Sequence, residues 1–203
     1  KQEREKQELE QIRRAALEAE EAEKRKRREL ALDRIHMQNK GLAYVPSTLW
    51  LDPASSKHLP FVITFDVSEN ALVRLPEKHL FQTMEQLRKF DCSKNQLTSI
   101  PDAISTCHEL LILKADDNQL KLLPDMSGLD QLQLLSLRGN DISEIGVETV
   151  ALQNLKRFNI SLNPLEHIGE DSFQAMSLLT ELHLQSCNLE FLPASVFRNL
   201  TSL

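Results

Sequence analysis

Three cysteines and six histidines are the side chains of this 203-residue chain best suited to nucleophilic attack, metal ligation or proton transfer. Cys92, Cys107 and Cys187 lie far apart and include no C-x-x-C pair, the spacing that would close a zinc or redox loop. Thiols odd in number and so dispersed read as reduced. His36, His58, His79, His108, His167 and His183 form no H-E-x-x-H helix, and no G-x-S-x-G turn presents a serine. The five glycines, Gly41, Gly128, Gly139, Gly146 and Gly169, are too scattered to build a loop that wraps a phosphate. The expectation is therefore a chain that is not an enzyme, with no catalytic residue, no metal and no cofactor.

The elements that carry these residues are set by a recurrence. Aromatic content is 5% against 41% hydrophobic residues, so the core must be built from aliphatic side chains used many times over. The same pattern returns every 22 to 25 residues. One copy reads Val62, Phe65, Val67, Asn70, Leu72, Leu75, Pro76, and the next Leu87, Phe90, Cys92, Asn95, Leu97, Ile100, Pro101. The others run from Leu110 through Asn118 to Pro124, from Leu132 through Asn140 to Ile145, from Leu155 through Asn163 to Ile168, and from Leu179 to Pro193. The last of these has Cys187 in the Asn slot.

Alternation such as Phe90 and Cys92, or Leu135 and Leu137, points apolar side chains inward from a short strand of period two. The Asn marks a sharp turn, where its amide satisfies backbone groups that no strand partner reaches. These six copies of L-x-x-L-x-L-x-x-N/C-x-L resemble the leucine-rich-repeat family, of an intracellular type mixing Ras-group-like repeats with the typical 24-residue repeats around Phe173 and Phe197. The resemblance implies an α/β fold, a right-handed curved solenoid with a parallel concave sheet. Return segments such as 170–177 and 194–199 are expected to form a helical turn or short helix, and the Pro that closes several copies to favour an extended or 3₁₀ start.

Residues 32–61 read as a degenerate first repeat and an irregular insertion, with Leu32, Ile35, Met37, Leu42, Val45 and Pro46 in phase and Lys40 in the Asn slot. The alternative is a helix running on to Asn39 and ended by Gly41. Trp50 is expected to seal the N-terminal edge of the core. Residues 62–203 hold the six repeats, and Leu203 falls on the first Leu of a seventh, so further repeats are expected.

Residues 1–31 hold no Gly or Pro and are rich in Glu, Lys, Arg, Gln, Ala and Leu, which predicts a long charged helix. Glu10–Arg14, Glu20–Lys24, Glu21–Arg25 and Glu23–Arg27 have the spacing that supports an exposed helix by about 0.2–0.5 kcal/mol each. A heptad through Leu9, Ile12, Ala16 and Ala19 runs into Glu23 and Lys26, a poor coiled-coil seam. The run Lys24-Arg25-Lys26-Arg27-Arg28 reads as a solvated face, with a nuclear-localisation or anion-contacting patch as the alternative.

The charge is uneven: residues 1–40 carry 12 basic against 10 acidic side chains, and residues 41–203 carry 12 against 20. An acidic repeat body argues against nucleic acid as its partner, because that affinity comes from Lys and Arg. No apolar run approaches the length of a membrane span, and no signal-peptide segment opens the chain. The expected location is the cytoplasm, with cytoskeletal and ciliary assemblies as candidates, and the helix as a tether to a filament or acidic surface. Two tripeptides, Asn159-Ile-Ser161 and Asn199-Leu-Thr201, match the glycosylation pattern.

In this family the resemblance places binding on the concave strand residues. Here those are Lys89, Asp91, Ile112, Lys114, Asp116, Leu134, Arg138, Arg157 and Asn159, with Ile112 and Leu134 expected as an exposed apolar pair inside a polar rim. The functional expectation is a non-enzymatic protein-interaction scaffold within a large assembly. The alternatives are the targeting or regulatory part of a longer enzyme, such as a ubiquitin ligase, phosphatase or kinase, and a receptor ectodomain.

Overall fold

The computed structural model describes residues 2–29, 33–76, 79–193 and 195–203. Lys1, Leu30, Ala31, Leu32, Glu77, Lys78 and Ala194 lie outside the described residues, as do the side chains of Leu9, Ile12, Arg27 and Arg28. Helix α1 (Gln2–Glu29) is 28 residues long, about 42 Å at ~1.5 Å per residue. Leu17, in its middle, is 58% exposed. Arg14 pairs with Glu18 at 3.1 Å, not with Glu10, and Lys24 with Glu20 at 2.7 Å.

Seven short strands form one parallel sheet: β1 (Arg34–His36), β2 (Thr64–Asp66), β3 (Lys89–Asp91), β4 (Ile112–Lys114), β5 (Leu134–Ser136), β7 (Arg157–Asn159) and β9 (Glu181–His183). The register is uniform. Ile35, Phe65, Phe90, Leu113, Leu135, Phe158 and Leu182 lie opposite one another from strand to strand. From Phe65 to Phe158 each of these is fully buried, because period two turns every middle residue to the same side. The column is continued by aromatic stacking: the rings of Phe65 and Phe90 lie 5.4 Å apart, and Phe81 meets Phe90 edge-on at 5.2 Å.

The segment between β1 and β2 is more ordered than its sequence suggests, holding α2 (Thr48–Leu51), α3 (Pro53–Ser56) and a 3₁₀ turn over Leu59–Phe61. Asp52 caps α3 by accepting from the Ser55 N–H at 3.0 Å and its hydroxyl at 2.8 Å. Trp50 packs on the core, half-buried. The convex side varies from coil to coil, with α4 (His79–Thr83) and 3₁₀ turns over Asp102–Thr106 and Val147–Thr149. Residues 170–175 form consecutive turns, the helical-turn form of the two expected, rather than a short helix. A second, two-stranded parallel sheet joins β6 (Glu144–Ile145) to β8 (His167–Ile168) where two coils leave the Asn turn.

Those turns are held by a ladder with two parts. Each buried Asn bridges backbone rather than another Asn: Asn118 accepts from Leu97 N–H at 3.0 Å and donates to the carbonyls of Cys92 at 3.0 Å and Ala115 at 3.2 Å. Asn95, Asn140 and Asn163 repeat these contacts on their own coils. Cys187 stands in with a thiol 3.6 Å from the Ile160 carbonyl. The residue before each slot is left-handed: Asn39, Glu69, Lys94, Asp117, Gly139, Leu162 and Ser186 have φ between 52° and 66°. Only Gly139 among them adopts this without a steric cost.

A candidate binding face on the concave sheet

The side chains flanking each buried middle residue point away from the core and form two rows. In the first, Lys89, Ile112, Leu134, Arg157 and Glu181 succeed one another on adjacent strands; in the second come Asp91, Lys114, Ser136, Asn159 and His183. The predicted site residues on strands therefore lie side by side, with Asp116 and Arg138 just past the ends of β4 and β5.

Burial separates them. Ile112 and Leu134 are half-buried, not the exposed pair that alternation alone suggests, because stacked coils shield each other's flanks at the 4.7–4.9 Å strand spacing. Arg157 and Arg138 are exposed, and Lys89 and Lys114 half-buried.

Four predicted contact residues are already engaged. Asp116 accepts from the Ser136 hydroxyl at 2.6 Å and the Arg138 N–H at 2.8 Å, tying β4 to β5. Asn159 accepts from the Ser161 N–H at 3.1 Å and hydroxyl at 2.7 Å, and Asp91 from the Ser93 N–H at 3.2 Å. These side chains shape the strand ends before they meet any ligand. Arg138 is held by Asp117 at 3.0 Å. Among the described residues, Lys89, Lys114 and Arg157 form no ion pair within 4.0 Å.

Asp117 escaped the sequence reading, as did the Glu69–Lys94 pair at 2.7 Å. All three occupy the left-handed position before the Asn slot, and that fixed offset is the signal that finds them.

The thiols belong to the core. Burial pushes Cys107 from its ordinary value of 9.0 to about 12. Burial raises Cys92 well above that ordinary value, with Asp91, Asp116 and Asp66 adding to the effect. Thiols held neutral this way are poor nucleophiles at neutral pH. Among the described residues no three His, Cys, Asp or Glu side chains converge as a metal site, and no helix is long and apolar enough to cross a membrane. A recess of about 660 Å³ lies off the concave face, with Asp33, Ile63, Glu85, Arg88 and Glu109 in its lining. Its chemistry is mixed in sign, and it shares no residue with the predicted face.

Two family models, described as Leucine rich repeat and Leucine Rich Repeat, match residues 130–189 and 86–107, the stretches that build strands β5 to β9 and strand β3. This is a leucine-rich-repeat chain. It is 30% identical over 152 residues, 72% of its length, to leucine-rich repeat-containing G-protein coupled receptor 5 of Rattus norvegicus. It is 28% identical over 178 residues, 83% of its length, to keratocan of Mus musculus. The leucine-rich-repeat chain spans 16% and 46% of these two relatives. A solved leucine-rich-repeat protein of Leptospira interrogans superposes with a TM-score of 0.71 at 22% identity, covering 83% of this chain and 46% of that one, a likeness of fold. Leucine-rich repeats in such company suggest a protein-interaction role.

Proposed function

We propose that the chain is a non-enzymatic scaffold that binds a protein partner on its concave sheet. The observation that carries this reading is the half-buried pair Ile112 and Leu134, set in register on adjacent strands and flanked by Lys89 and Arg157. Apolar anchors inside a polar rim are where interface energy concentrates. The strands beneath are locked by the Asn contacts, so the face is organised before a partner arrives and little ordering cost falls on binding.

The proposed setting is a large cytoplasmic assembly, cytoskeletal or ciliary, with α1 as a strut toward a filament or acidic surface. Three unpaired thiols support a reducing compartment. The similarity to a receptor favours a second reading, an ectodomain. The two differ at Asn159: a glycan on this half-buried concave residue would cover the face, and a mass shift there would favour the ectodomain.

The test is partner capture by the whole chain followed by cross-linking. Ile112→Asp with Leu134→Asp is expected to keep the melting transition and lose capture, with wild-type cross-links on β3, β4, β5 and β7. Unchanged capture, or cross-links confined to the convex side, would remove this face from consideration.

A further inference from the structure

Within the first row, the stretch Lys89, Ile112, Leu134, Arg157 has a cation at each end and two aliphatic side chains between them on four neighbouring strands, and Glu181 follows Arg157 on the next strand. Three strand intervals at ~4.8 Å put the two cations about 14 Å apart. An extended chain advances ~3.4 Å per residue, so four residues also cover about 14 Å, and positions i, i+2 and i+4 face the same way. We propose that the concave face takes an extended partner segment lying across the strands, with acidic side chains at i and i+4 and an apolar side chain at i+2. This rests on the reading of the face as a protein-binding surface.

Three observations favour this occupant. Lys89 and Arg157 have no carboxylate within 4.0 Å among the described residues, whereas Arg88, Lys94 and Arg138 are each paired. Lys114 stands one row over from Ile112, on the same strand and also unpaired, which adds positive potential beside the apolar centre. The surroundings are acidic, with 20 acidic against 12 basic side chains over residues 41–203 and the carboxylates of Asp91 and Asp116 beside the row. A continuous acidic run is thereby disfavoured. A carboxylate at i+2 would sit on Ile112 and Leu134 and lose its water without a partner. Specificity then comes from repulsion at the middle position as much as from attraction at the ends.

The test titrates the whole chain into fluorescein-labelled peptides with Gly-Ser flanks and the cores Glu-Thr-Leu-Thr-Glu, Gln-Thr-Leu-Thr-Gln, Glu-Leu-Thr-Thr-Glu and Lys-Thr-Leu-Thr-Lys, read by anisotropy. The first core is expected to bind at least about tenfold tighter than the Gln and Lys cores, the increment of a charge-assisted contact, and tighter than Glu-Leu-Thr-Thr-Glu, which keeps both carboxylates but moves the apolar side chain off i+2. The swap Lys89→Glu with Arg157→Glu, at one half-buried and one exposed position outside the buried column, is expected to transfer the preference to the Lys core. Equal affinity for the Glu and Gln cores, no binding by any peptide, or a swap that leaves the preference unchanged would each overturn the inference. Should Ile112→Asp with Leu134→Asp abolish partner capture while the charge swap preserves it, the face remains a binding face and only the acidic spacing falls.

Discussion

The side-chain oxygen of Asn118 accepts the backbone N–H of Leu97, 21 residues earlier, at 3.0 Å. The same side chain donates to the Cys92 carbonyl on the earlier coil and to the Ala115 carbonyl on its own. One amide thus joins two turns beside the backbone bonds from Lys94 N–H to the Asp116 carbonyl and from Gln119 N–H to the Leu97 carbonyl. Asn118→Leu fills the space but leaves the buried Leu97 N–H without its partner, while the Cys92 and Ala115 carbonyls keep the Asn95 and Asn140 amides. A loss of about 1–3 kcal/mol is expected, the cost of one buried donor left unsatisfied. Urea denaturation measures it, and an unaltered midpoint would count against the bridge.

The left-handed residues before the Asn slots make a second case. Leu162 sits at φ 57° and is 42% exposed, so its side chain contributes little packing to set against the backbone cost. Leu162→Gly is expected to stabilise the chain by about 1 kcal/mol, the lower end of the ~1–2 kcal/mol penalty for a non-glycine residue in this region. The converse, Gly139→Val, places a Cβ 2.5 Å from Asp117 Oδ1 at φ 66° and should lower the melting temperature. Identical melting curves for both variants and the parent would refute the assignment.

Phe90 lies between Phe65 and Phe81 at the centre of the column, and Phe191 is 74% exposed. Phe90→Ala should cost about 3–5 kcal/mol through lost burial and the cavity left behind. Phe191→Ala should stay within about 0.5 kcal/mol. Comparable losses in the two variants, measured by guanidinium unfolding, would contradict this packing.

The thiols carry a pH dependence of known sign. Cys107 titrates near 9.0 when unfolded and at about 12 when folded, so the unfolded chain releases its proton first as pH rises. Its contribution is fully present below pH 9.0 and is lost as pH climbs toward 12. Melting temperature should decline across that window, and Cys107→Ala should flatten the decline even if it melts lower at neutral pH. In native labelling with iodoacetamide at pH 8, half-buried Cys187 should react before buried Cys92 and Cys107. Equal labelling rates would show that the core opens.

Much of the solenoid was legible in the residues because strand periodicity leaves no freedom of phase. A slip of one residue would turn Phe65, Phe90 and Leu113 outward, so the recurrence of apolar positions and Asn dictates which side chains stack. The identity of the outward rows follows from the same alternation. What alternation does not contain is how much of an outward side chain its neighbours cover, which is why Ile112 and Leu134 read as exposed and prove half-buried.

The amino-acid sequence by itself determined the repeat, the register and the face, since these depend on patterns within one coil copied along the chain. Only the tertiary structure decided that Asp116 is occupied by Ser136 and Arg138, and that Asn118 reaches back to Leu97. It also placed β6 beside β8 and put the residue before each Asn slot in the left-handed region. Each is a relation between atoms that meet only when one coil is laid on the next, where distance and hydrogen-bond geometry choose among partners that residue type leaves equivalent.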